Sequence, residues 1–384
     1  MDGAEAVYRQ ALAADADHVQ TLCNLALLLE TTLDADALPT AAEEDKAEAD
    51  RLYARAVALR PQDVDVLYQR ALFLKNIRED YPGAVELFER ILEIEPREPT
   101  TLVNFALLLQ HTFDEPERAA GMFERALALD PAETSDEERL SLLYNYGQLL
   151  ESARNNSVAA EDCYRQALEI SADDAAVLSK YALLKQAGGD VEGAETMLRQ
   201  ALASDPTHAP ASANLALLLA ADPTRVADAE THFRAAVLAA PGDPDALCNL
   251  AQFLHATRGR LRAAEKLYLA ALDNDGEHLR ALCNYGVLLG QHKSNFSAAQ
   301  ELFQRALDVD PRCLDAQEGY MMCTEELEGA VVHDPSDPAF EHFVTTGEGE
   351  ELPDGMVPDP AQQVLELEEE KEGEGVDDDE LEAA

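Results

Sequence analysis

One spacing constrains this chain more than any other property. An alanine followed four residues later by an aromatic ring or a leucine returns at Ala4/Tyr8, Ala49/Tyr53, Ala84/Phe88, Ala119/Phe123, Ala160/Tyr164, Ala194/Leu198, Ala229/Phe233, Ala264/Tyr268 and Ala299/Phe303. The alanines are 35 residues apart except at three steps, which are 45 (Ala4 to Ala49), 41 (Ala119 to Ala160) and 34 (Ala160 to Ala194). A fixed period of this length marks an array of small units, each of which buries its apolar face only by stacking on its neighbours. The unit is clearest in Ala264–Leu289. Ala264, Tyr268, Ala271 and Leu272 share one face of a first helix, and Leu282, Tyr285, Gly286 and Leu289 share one face of a second. Pro61, Pro96, Pro131, Pro206, Pro241 and Pro311 recur at one offset. Proline has no N–H to donate and clashes with the preceding turn, so each ends a helix at a set point. The expectation is an all-α chain of antiparallel helix pairs, with no convincing strand.

The charge excludes several classes of function. The 384 residues include 76 Asp and Glu against 29 Lys and Arg, a formal net charge of −47. Nucleic acids and anionic membranes are bound by the basic residues that are scarce here. The excess favours basic partners or simple solubility. Six cysteines lie far apart with no CxxC pair, which reads as thiols of a reducing compartment. The N-terminus is charged and amphipathic and no run is long enough to span a bilayer, so the cytoplasm is expected, with the nucleus open. The sequons at Asn155 and Asn295 then read as chance. There is no HExxH, no Cys/His ligand spacing and no glycine-rich phosphate loop, so no cofactor, metal site or active site is expected. Cys23, Cys248 and Cys283 share one column but lie on different repeats, too dispersed for a metal site.

The repeat carries a resemblance. The chain resembles a tetratricopeptide-repeat protein, whose signature runs W-x2-L-G-x2-Y and then A-x3-F, A and P. The first part appears as Leu102, Phe105, Ala106, Leu109 and as Leu247, Leu250, Ala251, Leu254, with leucine in place of the usual tryptophan. Small residues (Ala26, Ala71, Ala106, Gly147, Ala182, Ala216, Ala251, Gly286) recur where two helices must approach closely. Pentatricopeptide repeats share the period but bind RNA and are usually basic, and HEAT and armadillo repeats are longer. The resemblance covers residues 1–328, in about eight repeats, and implies a right-handed α-solenoid, a superhelix of helix pairs.

Three places interrupt the period. About ten residues are inserted around Thr31–Asp45, which reads as a tolerated loop or a helix extension. Glu133–Arg139 reads as an acidic N-terminal extension of the next helix. Met1 opens inside the second helix of a repeat, which reads either as a lone cap or, preferably, as a truncated form of something longer. At the other end Arg312–Glu328 reads as a helix that caps the array. Residues 329–384 form an acidic tail, and between 331 and 384 there are 19 Asp and Glu against Lys371 alone. Such a segment buries too little apolar surface to offset its chain entropy and is expected to be disordered. It reads as a solvating tail first, and otherwise as a binder of basic partners or an intramolecular competitor for the groove.

Two positions before the small residue stand Asn24, Asn104, Asn145, Asn214, Asn249 and Asn284, with Gln69 and Lys180 breaking the column. Asparagine costs several tenths of a kcal/mol against alanine inside a helix, so six returns to one helical position need a reason. The column resembles the asparagine ladder in the concave groove of O-linked N-acetylglucosamine transferase and kinesin light chains. That resemblance implies side-chain amides paired with the backbone of an extended peptide, for which a carboxamide has both donor and acceptor. The other reading is asparagine bonding between adjacent helices, inherited by duplication. Backbone reading alone, at ~1 kcal/mol per hydrogen bond, gives weak binding without sequence choice. Selectivity then falls to the neighbouring position, which holds Cys23, Tyr68, Val103, Tyr144, Ser179, Ala213, Cys248 and Cys283. These residues serve equally well to fill space between helices. Lys180 and Arg280 are the basic residues placed in the groove, and the carboxylate clamp of chaperone-binding relatives is missing. The candidate peptide-binding set is therefore the six asparagines with Tyr68, Tyr144, Lys180 and Arg280. The expected function is a non-catalytic scaffold that holds an extended, possibly basic, segment of a partner protein. The alternatives are the substrate-recruiting arm of a larger enzyme and a plain structural spacer.

Overall fold

The computed structural model describes residues 2–31, 39–130, 134–153 and 156–331. They fall into two compact units, Met1–Ala172 and Asp173–Ala384. The first unit holds α1 (Asp2–Ala14), α2 (Val19–Thr31), α3 (Pro39–Leu59), α4 (Val64–Phe73, continued by a π turn at Leu74–Arg78), α5 (Tyr81–Ile94), α6 (Pro99–His111), α7 (Pro116–Leu127), α8 (Asp136–Ser152) and α9 (Ser157–Ile170). The second holds α10 (Ala175–Ala187), α11 (Val191–Ser204), α12 (Ala209–Ala220), α13 (Val226–Ala239), α14 (Pro244–Arg258), α15 (Leu261–Asn274), α16 (Leu279–Lys293), α17 (Phe296–Val309) and α18 (Leu314–Val331), with a single 3-10 turn at Pro223–Arg225. No strand occurs among the described residues.

Within each unit the elements repeat one arrangement. An even-numbered helix packs most extensively on the odd-numbered helix after it, as in α6 on α7 and, in the second unit, α12 on α13. The even-numbered helices also touch one another, α2 on α4 and α6 on α8 in the first unit, and α10 on α12, α12 on α14, α14 on α16 and α16 on α18 in the second. The rings of the A-x3-aromatic signal form the core: Tyr53, Phe88, Phe123, Tyr164, Phe233, Tyr268 and Phe303 are all buried, with Leu198 in the same role. The small residues behave as the sequence predicts. A Cβ on Gly147 would lie 2.7 Å from the Tyr164 ring, and one on Gly286 would lie 2.8 Å from the Phe303 ring.

The turns explain the punctuation. α3, α5, α11, α13 and α17 each stop two residues before a proline, at Leu59, Ile94, Ser204, Ala239 and Val309. α15 stops at Asn274, two before Gly276, so the stop belongs to the turn and proline only reinforces it. Between the two helices of a pair the chain passes through left-handed backbone at Glu79, Asp114, Gly189, Gly259 and Ser294, always one residue before the cap of the next helix. Only two of the five are glycine, the residue this conformation favours. The Gly188–Asp190 turn expected from the sequence is one of these. Acidic side chains do much of the capping: Asp80, Asp174 and Asp190 accept from the backbone N–H groups of Gly83, Val177 and Gly193.

The expected interruptions resolve into helix ends. Part of the insert becomes the start of α3 at Pro39, while residues 32–38 lie outside the described set. Of Glu133–Arg139, the described residues begin at Thr134, and α8 begins at Asp136, set by a capping box between Ser135 and Glu138. The final helix begins at Leu314, two residues later than Arg312, and runs to Val331. The acidic tail reading falls on residues 332–384, outside the described residues, as does Pro131. No helix among the described residues is long and apolar enough to cross a membrane, and they contain no His/Cys/Asp/Glu group fit for a metal ion.

Candidate partner-binding site

The asparagine column lies on the even-numbered helices, because each returns two residues before the buried small residue. Five of its six members, Asn24, Asn104, Asn145, Asn214 and Asn284, are half-buried, and Asn249 is 8% exposed. In the first unit Asn104 is a junction. Its Nδ2 donates to the Tyr68 hydroxyl at 2.9 Å and to the Thr100 carbonyl at 3.1 Å, and its Oδ1 accepts from Lys75 Nζ at 3.2 Å. Burial pushes the Tyr68 hydroxyl up to about 12 and holds the Lys75 ammonium below its ordinary value. Asn145 turns to its own helix, donating to the Ser141 carbonyl at 2.8 Å and to Ser141 Oγ at 3.3 Å. Asn24 accepts from Gln20 Nε2, one turn earlier, at 3.1 Å. Tyr144 is half-buried beside the column.

In the second unit the column bonds along itself. Asn214 Nδ2 donates to Ser179 Oγ at 3.1 Å, and Asn284 Nδ2 approaches Cys248 Sγ at 3.7 Å. Arg280 bridges two groups on α14: Nη2 donates to Asn249 Oδ1 at 2.6 Å and Nη1 to Asp245 Oδ1 at 3.0 Å. Lys180 is half-buried and makes no hydrogen bond among the described residues.

A rule unites these contacts. Asn104, Asn214 and Asn284 each donate to the residue just before the column in the preceding repeat, at separations of 36, 35 and 36 residues. The strip of Tyr68, Ser179 and Cys248 is therefore a set of acceptors for the next repeat's amide. Bonding between adjacent helices, with Asn249 accepting from Arg280, accounts for four of the six asparagines. It does not exhaust them, because a carboxamide has two N–H donors and two lone pairs.

Beside Asn104 the first unit opens a cleft of about 230 Å³ between α6 and α8. Pro99, Thr100, Val103 and Asn104 form one wall, and Thr134, Glu137, Glu138, Ser141 and Leu142 the other. Glu138 is fixed there. Its Oε2 accepts from the Ser135 backbone and hydroxyl, both at 2.8 Å, and its Oε1 from Thr100 Oγ1 at 3.1 Å. The Ser135 N–H, with help from the two hydroxyls, holds the Glu138 carboxyl below its ordinary value.

Sequence reasoning missed three features. Lys75 sits on the π turn after α4, off the repeat, and carries no periodic signal. The cleft acids lie within the 41-residue step from Ala119 to Ala160, where the period fails. The third was legible: six residues after the signal alanine stand Arg90, Arg125 and Arg305. Their guanidinium groups donate back 29 residues to the turn carbonyls of Pro61, Pro96 (3.0 Å) and Gly276 (2.8 Å).

The geometry defines an array of antiparallel helix pairs joined edge to edge by side-chain hydrogen bonds. The family model of the tetratricopeptide repeat matches residues 113–175, 182–244 and 224–278, so the helix pairs there are repeats of that kind. Among solved structures, yeast Tom70 is 18% identical with a TM-score of 0.60, the likeness covering 86% of this chain and 68% of Tom70. The APC/C hetero-tetramer Cut9–Hcn1 contains a chain that is 12% identical with a TM-score of 0.54, covering 83% of this chain and 58% of that one. At these identities the likeness shows the fold. No curated protein matches the chain by sequence.

Proposed function

We propose that this chain is a non-catalytic protein-interaction scaffold, and that within a unit the even-numbered helices hold an extended segment of a partner along their column asparagines. The observation that carries this reading is the half-buried state of five column asparagines, which stand at one repeat position on α2, α6, α8, α12 and α16 and retain hydrogen-bonding capacity at the surface. The structural likeness supports it, since the Cut9 fold is seen within a hetero-tetramer with Hcn1. Asn24 and Asn145 bond only within their own helices, so they are the members most free to meet a ligand. The test is crosslinking capture with the full chain and with an Asn24→Ala/Asn145→Ala variant, with helicity followed by circular dichroism. Partner capture weakens while helicity holds; capture equal to the parent chain sinks the proposal.

A further inference from the structure

The donor and acceptor balance of the α6/α8 cleft specifies what enters it. Two of its side-chain donors are spent inside the protein. The Thr100 hydroxyl donates to Glu138, and the Asn104 amide donates to Tyr68 and to the Thr100 carbonyl. Its acceptors are not spent. Glu137 is exposed on the rim and makes no hydrogen bond or ion pair among the described residues. Glu138 keeps one lone-pair site, on Oε1, after its three contacts. Thr134 Oγ1 is out of contact with solvent and has no hydrogen-bond partner, an orphan hydroxyl that a bound polar group would satisfy. The walls between these acceptors carry the apolar Pro99, Val103 and Leu142. The cavity, at about 230 Å³, is smaller than a typical small-molecule site and has room for one long side chain.

We infer that the α6/α8 cleft is a subsite for one cationic side chain, arginine or lysine, of the partner segment. The aliphatic stem lies on Val103, Pro99 and Leu142, as such stems do on apolar surface. The charged head meets the Glu137 and Glu138 carboxylates in charge-assisted hydrogen bonds. An anionic group would instead face like charge from the same two carboxylates. This inference rests on the scaffold reading above and adds the chemistry of the segment it selects.

The probe is N-acetyl-Ala-Arg-Ala amide, with the citrulline tripeptide as a neutral match in shape. Both are titrated into the full chain at about 150 mM salt, where charges beyond ~8 Å are largely screened. The readout is the methyl resonances of Val103 and Leu142. The arginine peptide shifts both resonances to saturation and the citrulline peptide does not. Glu137→Gln weakens the binding about tenfold, as loss of a charge-assisted bond predicts, while Glu169→Gln, a charge removed from an exposed site on α9, leaves it unchanged. Glu138 is left intact because it caps α8. Equal shifts with citrulline, equal loss with Glu169→Gln, or no effect of Glu137→Gln would overturn the subsite. The outcomes separate from those of the scaffold reading. Partner capture lost on Asn24→Ala/Asn145→Ala with no arginine response at Val103 removes only the subsite. A Glu137-dependent arginine response with capture indifferent to the asparagines removes only the column.

Discussion

The two units use the same column differently. In Met1–Ala172, Asn104 is tied into a cluster with Tyr68 and Lys75, and its neighbour Asn145 turns back to its own helix beside an open acidic cleft. In Asp173–Ala384 the column bonds along itself, Asn214 to Ser179, Arg280 to Asn249 and Asn284 to Cys248. The second unit also buries charge: Glu230, 1% exposed, binds Arg234, Arg258 and Arg260 at 3.1, 3.1 and 3.4 Å. One letter at one repeat position therefore has two fates, decided by what the preceding repeat offers it. The second unit is fastened from repeat to repeat at Asn214, Asn249 and Asn284, while the first is fastened so at Asn104 and leaves hydrogen-bonding capacity unspent at Asn24 and Asn145.

The largest expected effect tests that fastening. Glu230→Ala removes the buried carboxylate that meets Arg234, Arg258 and Arg260 and costs ~3–5 kcal/mol, as breaking a buried ion pair does. Asp50→Ala in the first unit, whose partner Arg70 lies 3.7 Å away at partial exposure, costs less than ~1 kcal/mol. Urea midpoints of the two variants measure the gap, and equal costs would break the contrast. Next come Gly147→Val and Gly286→Val, where the added carbons collide with Tyr164 and Phe303 and cost ~1–3 kcal/mol in either unit. A similar loss in both confirms that packing is shared and that only the polar wiring differs. Smaller again, Asn104→Ala removes its bonds to Tyr68, Thr100 and Lys75 and lowers stability by ~1 kcal/mol, while Asn145→Ala stays within ~0.5 kcal/mol. Thermal melts of the two variants read the difference.

The smallest effect concerns acid. Arg225, hydrogen-bonded to Glu195 across 30 residues at 2.5 and 2.8 Å, lowers the Glu195 carboxyl from 4.5 to about 2. A depressed carboxyl contributes stability that is present above its unfolded value and lost as the pH falls through its folded one. The contribution therefore fades between about pH 4.5 and pH 2. Glu195→Gln flattens this part of a pH series of melts, and an unchanged slope would show that the ion pair is idle.

The helix pairs were legible because they follow from periodic burial. The A-x3-aromatic signal locates seven buried rings, and the small residues mark the closest approaches. Helix ends were less legible. α8 starts where Ser135 and Glu138 close a capping box, a local hydrogen-bond event inside an acidic run that read as continuous helix. The site was legible as a column and not as a set of partners. Nothing in the repeat says that Asn104 meets Tyr68 and Lys75 while Asn284 meets Cys248, because those contacts depend on the preceding repeat's own side chains. The cleft was hidden for the same reason, as it lies where the spacing lapses.

The Arg90, Arg125 and Arg305 braces have a consequence for the solution around the protein. A guanidinium bonded to a backbone carbonyl serves as a donor and neutralises no carboxylate at its tip. With 29 basic residues against 76 acidic ones, neutralisation falls to dissolved cations, held as a diffuse atmosphere. A partner rich in lysine and arginine returns those ions to the bulk as it docks. Part of its affinity is then the entropy of the released ions, a contribution that shrinks as salt is added.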